Sequence, residues 1–572
     1  MEMLYRFRMH HVAYKKLAMG LFIVLMWSSV IAQTTSWNRY LVEANRSPEN
    51  QVFQFMQSGT CPSWADGSTT NATLYLWIPE KCRQLKGLVI MCTNVPEQML
   101  VGHPAIRQAC IKNNLGIVWS TPSFMNFRKT VGKDNKTLNM ALEYKTTVDF
   151  LQKMLDGLAK TSGYSEISSV PWLPMGESGH LLMVDALLEQ CPQRCIAGVY
   201  LKNNHLPPHN REVPVLTIFG TAQEWGQDKT DIRSNWNNAE QAYNYVTNQR
   251  KLYPAWPFSY VIDGTSGHFD CSEGLVQFVA EYINEITKMR LSSNGDLINL
   301  KLEQGFLADL PVPKHENRPI KNFSMGDTAS LKEPWFPTRD MALTAQKVTK
   351  INWHAATQLP LFLDGSGKTV NHPFNGISKI TPLMTGADGI TFTVRGEMAD
   401  SIPADFVNAG QKLAKTALMP TVEWVSGQYK PLGNGKFRIA LDRTWSKTAN
   451  YIGLRQRGND TVRAIFQPAG LILTQNTSGL PQKINFESIP DIKVGVTGII
   501  LYATADSGLP VEFFVESGPA IIQQNHLVFT PIPPKTKYPV AVTVAAWQWG
   551  RNVMPKVKMA PIIKQTFFIT QN

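Results

Sequence analysis

Residues 171–188 have the sequence PWLPMGESGHLLMVDALL, which gives the strongest indication of the fold. It passes from a short apolar run through Gly176-Glu-Ser-Gly-His180 directly into a second apolar run with helical character. A serine at such a strand-to-helix turn needs small neighbours, because the backbone is strained and the helix packs closely beneath it. Its hydroxyl then projects above the sheet, beside amide donors at the helix start. The alternative is that Ser178 is an ordinary N-cap that opens a helix.

Alternating strand and helix patterns surround this turn, from about residue 70 to residue 290. Short apolar runs predict strands at residues 73–78, 87–93, 115–120, 166–175, 196–202, 213–219 and 259–263. Helical periodicity predicts helices at residues 103–113, 142–160, 179–190, 238–249 and 271–289. Strands that alternate with crossover helices form a mostly parallel sheet that is covered on both faces. The predicted fold class of this part is therefore α/β, with a doubly wound and mostly parallel sheet.

A glycine-flanked histidine, His268, follows the last predicted strand in Gly264-Thr-Ser-Gly-His, just before the final helix. In the α/β-hydrolase superfamily, which the serine turn resembles, the catalytic triad runs along the chain in the order serine, acid, histidine. The strand before it ends in Gly220-Thr-Ala-Gln-Glu224, which supplies a carboxylate between the two. The serine turn and the histidine loop, in this order, resemble the α/β-hydrolase superfamily over residues 70–290.

The resemblance implies Ser178 as nucleophile, His268 as general base and Glu224 as the acid that orients the base, with Asp228 and Asp231 as alternative acids. The pattern departs from the family at His180, where a small residue is usual, and at two prolines, Pro171 and Pro174, in the predicted central strand. His268 could instead be a surface turn histidine, and Glu224 a solvated loop carboxylate.

Further site residues are predicted from their positions at strand ends. The oxyanion hole would combine the amide of Gly179 with the amide of Asn94 or Val95, which follow the strand at residues 87–93. Residues that could contact substrate are His180, His205 and Glu177. Both histidines could equally be structural, and Glu177 could simply stabilise the helix N-terminus.

Composition and charge point to export rather than to nucleic acid. The 572 residues carry a formal charge of +12 and are only 17% charged. Residues 1–16 are basic, an apolar core follows, and small residues lead to Ala32, so residues 1–32 are predicted to be a signal peptide. No later segment suits a membrane span. The remaining positive charge is spread thinly, which argues against nucleic-acid binding.

The seven cysteines all lie in the first half of the chain, at Cys61, Cys82, Cys92, Cys110, Cys191, Cys195 and Cys271. Their spacing fits no zinc site, so we expect no metal and no other cofactor. Export would allow disulfides, and the sequence-local candidates are Cys61–Cys82 and Cys191–Cys195. The absence of cysteine beyond residue 271 indicates a change of domain.

Two β-rich units are predicted after the hydrolase-like part, which we place at residues 33–290. Residues 291–483 would contain a proline-rich linker at 310–319, a short helix at 338–349 and a sandwich or barrel. Residues 484–572 contain Ser507-Gly-Leu-Pro-Val-Glu-Phe-Phe-Val-Glu-Ser-Gly-Pro-Ala520, which resembles bacterial immunoglobulin-like modules. Such a module implies a β-sandwich accessory domain and no chemistry of its own.

The predicted function is an exported serine esterase that acts on ester-decorated polysaccharide through an acyl-enzyme. Export and β-rich accessory units favour a large extracytoplasmic substrate, such as those of secreted bacterial carbohydrate esterases. Tryptophans of the middle unit, Trp335, Trp353, Trp424 and Trp445, could stack on sugar rings or belong to its core. The alternative is a cell-surface or glycan-binding protein on a hydrolase scaffold that has lost its activity.

Overall fold

The structure is a computed structural model that describes residues 47–62, 69–125, 140–202, 206–222, 235–269, 271–311, 319–350, 355–370, 377–404, 406–443, 450–459 and 461–571. The predicted signal peptide lies outside the described residues. So do His205, Glu224, Asp228 and Asp231, together with Trp353 and Trp445.

Eight strands form the main sheet: β1 Phe55–Pro62, β2 Thr69–Trp77, β3 Gly87–Met91, β4 Leu115–Thr121, β5 Trp172–Glu177, β6 Gly198–Leu201, β7 Val215–Ala222 and β8 Phe258–Gly267. Their order is β1-β2-β4-β3-β5-β6-β7-β8. The strand β2 runs antiparallel to both of its neighbours, whereas all the strands from β4 to β8 are parallel. The predicted α/β sheet is thus confirmed as a mixed, mostly parallel sheet.

The central strands are hydrophobic along their whole length because helices cover both faces of a parallel sheet. Every residue of β3, β4 and β5 is buried. Helices that flank the sheet are α1 Val95–Val101, α2 Pro104–Asn113, α3 Met140–Ser162, α4 Leu181–Gln190, α5 Asn235–Leu252 and α6 Glu273–Arg290. The first eight residues of α4 are all buried, which places the helix after the serine turn inside the core.

Two local predictions in this sheet are wrong or incomplete. Residues 165–168 form a short 3-10 helix rather than the start of a strand, so β5 begins only at Trp172. Pro171 therefore lies just before the strand, and its carbonyl accepts the Leu88 amide at 2.9 Å, whereas Pro174 lies within β5. The edge strand β1 went unpredicted because it is largely polar, in keeping with its mostly partial exposure.

Packing onto the main sheet continues past residue 290, the predicted end of the hydrolase-like unit. Strands β9 Phe306–Ala308, β10 Ile320–Asn322 and β11 Trp335–Phe336 form a small sheet, and α7 Arg339–Lys350 follows. The hydroxyl of Ser259 in β8 donates to the Trp335 carbonyl at 2.6 Å. Trp335 is fully buried there, so it is a core residue and offers no stacking face.

The next part of the chain is built around two four-stranded sheets that share one core, and its two remaining strands pair in a separate two-stranded sheet. Its strands are β12 Pro360–Leu363, β13 Ser378–Ile380, β14 Leu383–Met384, β15 Thr391–Thr393, β16 Arg395–Met398, β17 Thr421–Ser426, β18 Tyr429–Gly433, β19 Lys436–Ile439, β20 Tyr451–Gln456 and β21 Ile465–Leu471. One sheet has the order β13-β21-β20-β17 and the other β14-β15-β19-β18. Ile452 and Leu454 from the first sheet lie in the same apolar cluster as Phe392 and Phe437 from the second. This is a sandwich-like arrangement.

The last part is also β-rich. Its strands are β22 Ile484–Phe486, β23 Ile492–Lys493, β24 Gly498–Ile500, β25 Ala503–Ala505, β26 Glu512–Ser517, β27 Ala520–Gln523, β28 His526–Phe529, β29 Val540–Trp547 and β30 Ile563–Thr570. They form sheets of order β23-β30-β29-β26, β24-β28-β27 and β22-β25. The neighbouring strands β24 and β25 lie in different sheets. The immunoglobulin-like assignment stays a prediction.

None of the seven cysteines, all of which fall in the described part of the chain, forms a disulfide. The candidate pairs Cys61–Cys82 and Cys191–Cys195 are therefore not bonded in this structure. Six of the seven side chains are buried among apolar neighbours, and the thiol of Cys195 instead donates to the Leu187 carbonyl. Burial raises the pKa of the Cys110 thiol to about 12, so this thiol is unreactive at neutral pH.

Candidate active site

Ser178 occupies the turn between β5 and α4, at the carboxyl edge of the main sheet. Its φ of 51° lies in the left-handed region, which a non-glycine residue adopts at an energetic cost. A 3-10 turn at Ser178–His180 leads into α4. A Cβ on Gly176 would lie 2.6 Å from the His180 carbonyl oxygen, so only glycine fits there without a backbone shift. The strained turn and its glycine are the features that expose a nucleophile above a sheet.

His268 follows the last strand of the sheet and lies against this serine. Its Nε2 is 2.9 Å from the Ser178 Oγ, although ninety residues separate the two along the chain. The imidazole is fully buried and meets the Phe269 ring edge-on, with 4.6 Å between ring centroids. In this position a neutral imidazole can accept the serine proton.

The three candidate acids, Glu224, Asp228 and Asp231, lie outside the described residues. The strand before them does bear on their position. In β7, Ala222 pairs with Gly267 of β8, the residue immediately before His268. The chain therefore leaves β7 at the same edge of the sheet as the histidine, and Glu224 comes two residues later.

Glu177 is completely buried, and its Oε1 lies 3.3 Å from the His268 Nε2. Its side chain makes no capping hydrogen bond to the short turn that follows. The carboxylate contacts the nitrogen that faces Ser178, whereas the orienting acid of a triad must engage Nδ1. Glu177 is consequently a charge beside the reacting atoms and cannot serve as the orienting acid.

His180 is held by the carboxylate of Glu97, which is not among the site residues predicted from sequence. Its Nδ1 lies 2.6 Å from Oε2 of Glu97, and the side chain of His180 is 13% exposed. The other oxygen of Glu97 accepts the main-chain amide of Glu177 at 3.3 Å. The spacing Asn94-Val-Pro-Glu97 is that of a capping box and could have drawn attention to this carboxylate. In the structure, Glu97 supports the serine turn.

Asn94 also supports this turn. Its Nδ2 donates to the carbonyl of Glu177 at 3.2 Å, and its Oδ1 accepts the amide of Val95 at 2.9 Å. The Val95 amide is therefore engaged by the N-cap of α1, which leaves the main-chain amide of Asn94 as the better of the two candidates for the oxyanion hole. The other candidate donor, the Gly179 amide, lies at the start of the short turn after Ser178.

A buried ion pair joins Lys202, the residue after β6, to Asp263 in β8, two strands further along the main sheet. Lys202 Nζ is 3.1 Å from Oδ2 of Asp263, and neither side chain is exposed. Lys202 has a φ of 56°, so it turns the chain sharply after β6. A buried pair of this kind is costly to desolvate and is strongly destabilising to break.

A second buried carboxylate, Asp185, lies one turn into α4. It accepts hydrogen bonds from the hydroxyls of Tyr200 at 2.8 Å and Tyr144 at 3.4 Å. Burial and the adjacent Asp185 charge raise the pKa of Tyr200 well above its usual value, so both phenols stay neutral donors. This cluster fixes the helix behind the serine.

No protein-family model and no curated protein matches this chain. Solved structures similar to it include poly(aspartic acid) hydrolase-1 from Sphingomonas sp. KT-1, with 14% identity over 41% of this chain and 99% of that one and a TM-score of 0.29. The poly(3-hydroxybutyrate) depolymerase LpqC from Bordetella parapertussis is 12% identical over 46% of this chain and 97% of that one, with a TM-score of 0.28. An IroE-like serine hydrolase from Shewanella oneidensis is 14% identical over 42% and 82%, with a TM-score of 0.29.

These likenesses are too weak to bear on activity. In its mixed, mostly parallel sheet and its strand-serine-helix turn, the N-terminal part of the chain resembles α/β-hydrolase esterases. The rest of the chain is built from small β-sheets.

Proposed function

We propose that this protein is a serine hydrolase that cleaves carboxylic esters through an acyl-enzyme on Ser178. The observation that carries the proposal is the contact of 2.9 Å between the Oγ of the strained Ser178 and the Nε2 of His268. A nucleophile and a base within hydrogen-bonding distance, at the carboxyl edge of a parallel sheet, form the core of nucleophilic acyl transfer.

In the proposed reaction, His268 takes the hydroxyl proton while Ser178 Oγ attacks the ester carbonyl. The Gly179 and Asn94 amides would stabilise the resulting oxyanion. The imidazolium then gives its proton to the leaving alcohol as the C–O bond breaks, and an acyl-serine remains. Water, deprotonated by His268, attacks the acyl group and releases the acid and the free serine.

We propose Glu224 as the acid that orients His268, with Asp228 and Asp231 as alternatives. The pairing of Ala222 with Gly267 supports this choice, because β7 ends beside the residue that precedes His268, and Glu224 is two residues further along the chain. His180, held by Glu97, and His205 are proposed to contact the substrate, and Glu177 to line the site.

The proposed substrate is an ester-decorated polysaccharide outside the cytoplasm. Support comes from the signal-like residues 1–32 and from the two β-rich parts that follow the hydrolase-like part, for which we retain proposed boundaries of 291–483 and 484–572. Within the described ranges, the structure contains no helix with the length and apolarity needed to cross a membrane.

One observation favours a second function, that of a non-catalytic binding protein. The buried Glu177 carboxylate lies 3.3 Å from the same His268 nitrogen that must accept the serine proton. A carboxylate at this distance competes with Ser178 for the nitrogen, which would weaken the contact that nucleophilic catalysis requires.

Labelling with a fluorophosphonate probe separates the two functions. The folded wild-type protein should be labelled stoichiometrically and should hydrolyse p-nitrophenyl acetate, and Ser178→Ala should abolish both. Ser366→Ala, which alters an exposed serine in the middle part of the chain, is the matched control and should behave as wild type. Folded wild-type protein that stays unlabelled would refute the hydrolase proposal and leave the binding function.

A further inference from the structure

A large cleft lies where the hydrolase-like part meets both β-rich parts of the chain. Its volume is about 660 Å³, which is within the range of roughly 300–1,000 Å³ typical of ligand sites. The helix α1 contributes Gln98 and Val101, the middle part contributes Trp424, and the last part contributes Phe513 and Phe514. The cleft therefore exists only when the three parts are assembled.

Aromatic rings form much of its wall. Trp424, Phe513 and Phe514 are half-buried, so their rings are partly accessible from the cleft. Tyr429 and Trp547 are buried behind them, and the Trp424 ring packs edge-on against Tyr429, with 6.3 Å between centroids. Flat, polarisable rings held rigidly in this way favour ligands with an apolar face.

One buried amide in this wall, that of Gln98, has no hydrogen-bond partner among the described residues. Gln98 is 9% exposed, and its Nε2 donates to no atom of the described residues. A buried amide without an acceptor is destabilising, and such groups are rare unless water or a ligand meets them. Gln98 also lines the cleft, so a ligand bound there, such as one with a hydroxyl oxygen, could supply the acceptor that this amide lacks.

The charges around the cleft are already used within the protein. The guanidinium of Arg443 donates to the main-chain carbonyls of Gln51 at 2.7 Å and Val515 at 3.1 Å. Glu512 contacts Arg438, and Lys430 lies 3.8 Å from the same carboxylate. An ionic ligand would have to displace these contacts, whereas a neutral ligand would not.

We propose that this cleft binds a neutral oligosaccharide segment, with the apolar face of a sugar ring on Trp424 and a sugar hydroxyl on Gln98. A pyranose ring combines a C–H face with a rim of hydroxyl acceptors, which matches aromatic walls beside an unpartnered amide. The inference rests on the proposed function in one respect only, because it identifies the ester-bearing polymer as a neutral glycan. Binding itself does not require catalysis at Ser178.

The site also has a physical link to the serine turn. Gln98 in the wall follows Glu97, the residue that holds His180 and the amide of Glu177. One short helix therefore contacts both places. A polymer held in the cleft would thus lie close to the helix that supports Ser178.

Calorimetry on the full-length Ser178→Ala protein, which cannot hydrolyse its ligand, tests the proposal. The probes are xylohexaose, cellohexaose and mannohexaose, with hexagalacturonate as the anionic comparison. At least one neutral hexasaccharide should bind. Trp424→Ala should weaken its binding by about tenfold or more, and Gln98→Leu by about two- to tenfold. Tyr502→Ala and Gln523→Leu, at surface positions of the last part, should leave affinity unchanged.

Two further measurements keep the outcome decisive. Gln98→Leu removes an unpartnered amide, so the ligand-free variant should melt no lower than its parent, and weaker binding could not then be due to misfolding. Failure of all three neutral probes, preference for hexagalacturonate, or undiminished binding by Gln98→Leu would overturn the proposal. Fluorophosphonate labelling of wild-type protein is independent of these results, so loss of the cleft and loss of the hydrolase function are distinguishable.

Discussion

The serine turn and the junction cleft are two candidate sites built in different ways. The turn gathers buried polar groups within one sheet: Ser178 and His268 lie 2.9 Å apart, and Glu97 contacts His180 at 2.6 Å. The cleft instead collects side chains from three parts of the chain around about 660 Å³ of space, with aromatic rings that are partly accessible.

The difference reflects what each site is proposed to do. Proton transfer depends on sub-ångström positioning, so its groups are fixed by a strained backbone and by buried partners. Recognition of a polymer segment needs breadth and tolerates small displacements, so it can be assembled from separate surfaces. Substitutions at the turn should therefore have steep effects, and those at the cleft graded ones.

The largest expected effect concerns the orienting acid. Glu224→Gln should lower kcat/KM on p-nitrophenyl acetate by about 10⁴-fold, because the imidazole loses its tautomer lock and the charge that stabilises its protonated form. Asp228→Asn and Asp231→Asn are matched controls and should change the rate less than about threefold. If one of them shows the large loss instead, that residue is the acid.

Next in size is the buried pair beneath the site. Lys202→Met should lower the free energy of unfolding by about 3–5 kcal/mol in urea titrations, because the buried Asp263 loses its ammonium partner. Lys145→Met, which breaks an ion pair whose two side chains are 62% exposed, should cost less than about 1 kcal/mol. Equal losses of unfolding free energy in Lys202→Met and Lys145→Met would contradict the view that the buried pair fixes this part of the sheet.

The third effect tests Glu97 as a positioning residue. Glu97→Ala should lower kcat on the small ester by about 10- to 100-fold with little change in KM, because the serine turn loses its support at the Glu177 amide and at His180. Glu97→Gln keeps an acceptor oxygen and should recover part of the rate. Glu80→Ala, at an exposed position, is the control. A rise in KM alone would instead indicate contact with the substrate.

The smallest effect belongs to the cleft. Arg443→Met should lower the free energy of unfolding by about 1–3 kcal/mol, because it removes hydrogen bonds to carbonyls of both neighbouring parts. Affinity for the neutral hexasaccharide should fall with it, by a few-fold. Arg339→Met, at an exposed position, should change neither quantity. If Arg443→Met abolished binding without lowering the free energy of unfolding, the cleft would depend on exact side-chain positions as strongly as the serine turn does.

The serine turn could be predicted from sequence because its elements are contiguous. The glycine, serine and following apolar helix stand together at residues 176–188, and the order of His268 after the last strand follows from the topology of a parallel sheet. The contact between Glu97 and His180 joins residues 83 positions apart, and periodicity says nothing about which carboxylate turns inward. The pair Lys202–Asp263 escaped prediction for the same reason.

The cleft could not be predicted because no local pattern encodes how separate units dock. Trp424 was a candidate for stacking on sugars, but nothing in its surroundings indicated that Gln98 and Phe514 would share its cavity. The observed start of β5 differs from the predicted one because the serine-rich stretch before Pro171 forms a short 3-10 helix and does not extend the strand.

The backbone contacts between distant parts have a practical consequence for anyone who would treat this chain as interchangeable modules. The Gly518 amide donates to the Phe53 carbonyl, and the Lys537 amide donates to the Ser162 carbonyl, at 3.0 and 2.9 Å. A side chain on Gly163 would come within 2.7 Å of the Lys537 nitrogen. Truncation after residue 290 would strip hydrogen bonds and apolar cover from the sheet that holds the serine. Domain grafting, deletion series and tag placement should therefore keep the hydrolase-like part and both β-rich parts together.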